Sequence, residues 1–260
     1  MKGIRTMKQL QKIIYILIPY AAVELLQYFL LTLVILVKGI INIPDDMLYI
    51  LSASISAICG MVFFIWYRYE VSGKNTGSVR AFLTVKYIPL LLLLGVGCQF
   101  FFSGFMALIR PFFSRVFDEY SKLLQQLTDA NFAVVLLFMI IIAPLSEELI
   151  FRAVILGRAK RLYGFKYANI LQAILFGVYH GNLVQGIYAA LIGLILGAVS
   201  FRFQTVYASI ALHMIINASS LLMALIPDKL ISYIAVTISG AILMVASMNM
   251  IMPGKEQGQE

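Results

Sequence analysis

The chain has 260 residues, of which 62% are apolar or aromatic and only 12% charged, with a mean hydropathy of +0.93. That balance excludes an ordinary soluble domain and implies an integral membrane protein. The formal net charge of +8 reads as basic loops meeting lipid headgroups. It does not read as a nucleic-acid surface, because no helix-turn-helix, zinc-finger or RNA-binding signature accompanies it.

The opening MKGIRTMKQLQK is basic and precedes an apolar run from Ile13 to Val37. The run is too long for the apolar core of a signal peptide, and no small-x-small cleavage site follows closely, so it is predicted to remain as a membrane helix. Pro19 and Glu24 interrupt it, which predicts a kink or a polar face turned inward. About eight apolar segments follow one another, at roughly 13–37, 47–67, 87–109, 132–157, 167–182, 184–203, 205–226 and 230–252. Only a break around His180-Gly181-Asn182 separates the fifth from the sixth, so a broken or re-entrant element is expected there. The expected fold class is all-α, a polytopic membrane helical bundle forming a single membrane-embedded domain over 1–260.

Basic residues test this arrangement. With the N-terminus in the cytoplasm, only Lys38, Arg110, Arg115, Lys122 and Lys229 of the twenty Lys and Arg fall in outer segments, and Arg152 lies within a span. The inner excess predicts both chain ends on the cytoplasmic side, as for a multi-pass protein of a bacterial cytoplasmic membrane. Two connections have character. From Phe113 to Leu127, apolar residues recur at helical spacing with Arg115, Asp118, Glu119 and Lys122 between them, which predicts an amphipathic surface helix. The loop YEVSGKNTGSVR is rich in Gly and Ser and is expected to be mobile; its Gly-Lys-Asn-Thr lacks P-loop spacing. Cys59 and Cys98 lie in apolar runs without a CxxC partner and read as small packing residues.

The stretch FMIIIAPLSEELIFRAVILG carries three charges within an apolar span. Each costs roughly 2.5–3.5 kcal/mol at the bilayer centre even on mild insertion scales. Three pairs sit four residues apart and so share a helix face: Glu148 with Arg152, Phe176 with His180, and His213 with Asn217. Glu148 and Arg152 are expected to neutralise one another. One arginine does not neutralise two acids, so Glu147, about 100° round the helix, is left as the candidate general base. At about 1.5 Å rise per residue, Glu147 lies roughly 16 Å deep, His180 roughly 20 Å, His213 roughly 12 Å and Asn217 roughly 18 Å. The four are therefore expected to converge near mid-membrane. Phe176 reads as a packing residue.

A carboxylate, two imidazoles and an amide suit hydrolysis by activated water, with His213 and Asn217 as oxyanion donors. No nucleophile competes, since Ser146 lies in no G-x-S-x-G. A metal held by Glu147, His180 and His213 is the other route to an activated water, although no H-E-x-x-H indicates zinc. Two further classes fit an intramembrane polar cluster. One is a non-proteolytic membrane scaffold or bacteriocin-immunity factor. The other is a proton-coupled transporter, against which stands the lack of an internal repeat.

Glu147-Glu148-x-x-x-Arg152, Phe176-x-x-x-His180 and His213-x-x-x-Asn217, in this order on successive spans, resemble the CPBP family of intramembrane proteases, also called Abi or CAAX protease and bacteriocin-processing. The resemblance covers roughly 130–220 and suggests a catalytic core over about 130–226. It implies an all-helical fold with a cavity open to the cytoplasm and a glutamate-dependent peptidase without a required cofactor. By likeness, Glu147 and His180 activate the water, His213 and Asn217 form the oxyanion hole, and Glu148 and Arg152 hold the site together. The implied substrate is a membrane-associated peptide or protein, cleaved in contact with the lipid bilayer.

Overall fold

The computed structural model describes residues 8–41, 45–71, 79–118, 121 and 132–252. Among these residues the chain is helical, without strands. We number the helices α1 (Gln9–Ile40), α2 (Asp45–Val71), α3 (Tyr87–Ile109), α4 (residues 132–156), α5 (Gly157–Tyr179), α6 (Leu183–Phe203), α7 (Val206–Met223) and α8 (Leu230–Ile251).

Among the described residues, six stretches are long and apolar enough to cross a membrane: Gln9–Ile40, Tyr87–Phe112, Phe132–Tyr179, Leu183–Phe203, Val206–Met223 and Leu230–Ile251. The Phe132–Tyr179 stretch has 48 residues, which at about 1.5 Å per residue is more than twice the thickness of a hydrocarbon core of about 30 Å. Gly164 breaks it with φ 77° and ψ 170°, a conformation only glycine adopts freely. The fourth and fifth expected segments thus lie on either side of Gly164. Outward faces are apolar too: Ile231, Ile234, Ile238, Ile242 and Val245 of α8 recur at helical spacing and are exposed. A stripe of that kind is stable when lipid is the solvent. The chain is a multi-pass integral membrane protein.

Several local expectations meet their outcome here. α1 runs through Pro19 without ending, with Pro19 buried and Glu24 half-buried. The expected break at His180 is a tight hairpin in which Gly181 adopts φ 64°. The Asn182 side chain then accepts from the Gln185 amide at 3.2 Å to start α6. The expected amphipathic helix begins as a helical turn over 114–118, with Phe117 buried and Arg115 and Asp118 exposed. Its remainder, apart from Ser121, lies outside the described residues, as does most of the Gly- and Ser-rich loop. Cys59 and Cys98 are free thiols buried in helices, as packing residues would be.

The chain divides into two compact units. The first holds α1, α2, α4, α5 and α6 as far as Ala198. Its α5–α6 hairpin closes over small residues: a Cβ on Gly177 would lie 2.5 Å from the Gly186 carbonyl oxygen. Such close approach is how helices pack where lipid removes most of the hydrophobic driving force. Asn169 and Gln172 fasten the same hairpin by donating to the carbonyls of Leu194 and Gly193 at 3.0 and 2.9 Å. At one end of the unit, Glu70 of α2 accepts from Arg158 and Arg161 of α5 at 2.8 and 2.7 Å. Arg158 also donates to the Tyr15 carbonyl of α1 at 2.7 Å and lies over the Tyr15 and Trp66 rings. The second unit holds α3, the last turn of α6, α7 and α8. There α3 and α8 meet through glycine, a Cβ on Gly97 coming within 2.6 Å of the Met244 nitrogen.

Candidate active site

α4 is not a regular α-helix. Two α-helical stretches, Phe132–Leu137 and Ala143–Glu148, alternate with π-helical turns at Phe138–Ile142 and Leu149–Leu156. Pro144 supplies a reason for the first: it has no N–H, and its ring crowds the carbonyl four residues back, so the ladder widens. π turns cluster at functional sites because they re-aim side chains within an otherwise straight helix. Here they bracket Ser146, Glu147 and Glu148.

These three neighbours have separate environments. Ser146 is buried, and its hydroxyl sits 2.8 Å from the Ser56 carbonyl of α2 and 2.9 Å from the Ile142 carbonyl. Its proton is committed to those carbonyls, and Gly60 leaves room for it; the residue joins helices. Glu148 accepts from Arg152 Nη1 at 2.8 Å, with both side chains fully buried. Glu147 is half-buried. Its carboxylate acts electrostatically on Arg152 as well, after that of Glu148.

Arg152 has a second support that sequence reasoning did not assign. Its guanidinium lies 4.2 Å from the centroid of the Phe176 ring, a cation–π contact strengthened by the dry surroundings. Gly193 of α6 makes the space, since a Cβ there would meet Arg152 Nη2 and Phe176 Cδ1 at 3.2 Å. Phe176 is buried and is also the surface on which the buried cation rests.

The same phenylalanine orients His180. In the last turn of α5 the His180 amide turns to the Gly177 carbonyl at 3.2 Å. The Phe176 carbonyl instead faces His180 Nδ1 at 2.8 Å. A carbonyl only accepts, so Nδ1 carries the proton, and in the neutral ring Nε2 holds a lone pair. The Phe176 ring stands edge-on to the imidazole at 4.8 Å, and the Tyr179 ring does so at 5.9 Å. His180 is therefore a fixed ring with a defined basic nitrogen.

Glu147, Glu148, Arg152, Phe176 and His180 all belong to the first unit, where printed contacts run from Glu148 to Arg152, from Arg152 to Phe176 and from Phe176 to His180. His213 and Asn217 belong to the second unit, one turn apart on α7. His213 is buried and Asn217 half-buried, and the Asn217 carbonyl accepts from the Ser220 hydroxyl at 2.6 Å. α7 opens on Thr205, whose hydroxyl accepts from the Tyr207 amide. Among the described residues no three His, Cys, Asp or Glu side chains form a group that could hold a metal ion.

Comparison with known proteins adds two findings. Residues 129–219 match the family model described as type II CAAX prenyl endopeptidase Rce1-like. A segment of 107 residues is 27% identical to "Putative membrane peptidase YdiL" of Bacillus subtilis (strain 168), covering 40% of this chain and 44% of that protein. The chain thus aligns with less than half the length of this relative. No solved structure matches. All seven motif residues, from Glu147 to Asn217, fall within the matched segment. Both matches support the CAAX-protease (CPBP) family that the three motifs resemble.

Proposed function

We propose that the chain is an intramembrane endopeptidase that hydrolyses a peptide bond in a membrane-associated peptide or protein. The observation that carries this reading is His180: its Nδ1–H is committed to the Phe176 carbonyl, so Nε2 is the nitrogen left to take a proton. Glu147 is the acid assigned to work with it. Glu148 is less suited, because using it as a base means breaking a fully buried pair with Arg152. In the proposed step, Glu147 and His180 remove a proton from water as its oxygen attacks the scissile carbonyl carbon. The carbonyl becomes an oxyanion, for which His213 and Asn217 are the assigned donors. Collapse of the tetrahedral species breaks the C–N bond, and the proton taken from water passes to the leaving amine. The family match supports these roles through the motif positions, and the name of the Bacillus relative supports peptidase activity.

Proteolysis creates new amino termini, so the reaction can be followed whichever membrane protein is the substrate. Cells expressing the wild-type chain, Glu147→Ala or His180→Ala at equal protein level are compared by chemical labelling of membrane-protein amino termini. New termini are expected with the wild type and not with either variant, and a chelator leaves them undiminished. The same termini in both variants would refute the role of these residues. A wild-type phenotype that persists in the variants without cleavage would favour the scaffold instead.

A further inference from the structure

The family match begins at residue 129, so α1 lies outside it. Even so, α1 carries Tyr20, Glu24 and Gln27 at spacings of four and three, which is one helix face, and all three are half-buried. Polar side chains in an apolar span are costly unless they are bonded, and these are bonded. The Tyr20 hydroxyl pairs with Glu24, and the Tyr20 ring meets Phe151 of α4 at 6.4 Å. Two turns beyond Tyr20, Gln27 Nε2 donates to the hydroxyl of Tyr179.

Tyr179 is the residue before His180. Its ring stands edge-on to Phe151 at 5.3 Å and to the imidazole at 5.9 Å. Packing therefore holds the ring, and α1 holds the oxygen. Because Gln27 donates, the phenol keeps its own proton to give. The tyrosine thus stands beside the proposed basic imidazole.

Resting on the hydrolytic reading above, we infer that Tyr179, anchored from α1 by Gln27, is a positioning residue that holds the His180 ring in place as one member of the proposed water-activating pair. The chain has two histidines, so 15N-histidine labelling of the full chain in lipid nanodiscs yields two sets of imidazole signals. His213→Gln leaves those of His180 alone. Wild-type His180 is expected to show a single tautomer, protonated at Nδ1. Tyr179→Phe and Gln27→Leu should each shift its ring signals and admit the second tautomer, and the double variant should add nothing, since both remove one bond. Gln27→Leu removes that bond from α1 and leaves every ring in place, so the test stands even if Tyr179→Phe does not fold. Unchanged His180 signals in the folded variants overturn the inference.

Each variant should also slow the release of new amino termini from bacterial inner-membrane vesicles by roughly two- to tenfold, the size of one positioned hydrogen bond. Cleavage that is lost in Glu147→Ala but unchanged in Tyr179→Phe and Gln27→Leu overturns the positioning role and keeps the protease. A wild-type chain that cleaves nothing overturns the hydrolytic reading, while a responsive His180 signal still supports the linkage from α1.

Discussion

Glu148 and Arg152 carry opposite charges in surroundings that exclude water from both side chains. Taking either charge out of water costs several kcal/mol, and the partner offsets that cost only while it is present. Glu148→Gln should therefore lower stability by about 3–5 kcal/mol, because it leaves the guanidinium buried beside a neutral amide. Glu148→Leu combined with Arg152→Met should recover most of the loss. Thermal midpoints in detergent would separate the two. This pair was readable in the sequence because four residues is a fixed relation on any helix. The seat of Arg152 on Phe176 was not readable, since it depends on how α4 meets α5 and on Gly193 leaving space. His180 shows the same division: its likeness to a catalytic histidine lay in the motif, while its protonated nitrogen is set by one carbonyl at 2.8 Å.

At the scale of elements, hydrophobic length and Gly or Pro punctuation marked the helices, including the break that separates α5 from α6. The π turns of α4 left no clear mark, because the periodicity argument assumes regular α geometry around Glu147. The polar stripe of α1 was equally hidden; only Glu24 stood out, and Gln27 acquires meaning through a residue 152 positions away. The α5–α6 hairpin offers a test by size. Gly177→Leu forces a side chain onto the Gly186 backbone and should cost at least about 1–3 kcal/mol. Gly39→Leu on α1 meets nothing within 4 Å and should be tolerated; protease resistance in membranes would show the difference. Glu70, beyond the expected span of α2, gives the first unit a pH dependence. Burial alone would raise its carboxyl, but hydrogen bonds and charge from Arg158 and Arg161 outweigh it and hold the carboxyl below its ordinary 4.5. A depressed acid contributes its stability above the unfolded value and loses it as pH falls through the native one. The thermal midpoint should therefore begin to fall below about pH 4.5, and Glu70→Gln, itself less stable, should show a smaller fall.

At the scale of the whole molecule, composition alone established a membrane protein, and the six long apolar stretches and lipid-facing stripes agree with it. The division into two units was not legible, because it follows long-range packing: α3 joins α7 and α8 across most of the sequence. Sidedness rests on the Lys and Arg distribution. Fluorescent protein fused before Met1 or after Glu260 should light up in both cases, since it folds on the cytoplasmic side, and a dark fusion at either end would contradict that topology. The family match extends from the first unit into the second and holds every motif residue, so the claim that matters most concerns one carboxylate. The most direct test is the initial rate at which purified, vesicle-reconstituted Glu147→Gln releases new amino termini from bacterial membranes, against wild type, with thermal midpoints matched. Losing a general base predicts a fall of about 100- to 10,000-fold; a rate within a few-fold of wild type would contradict a hydrolysis that depends on Glu147.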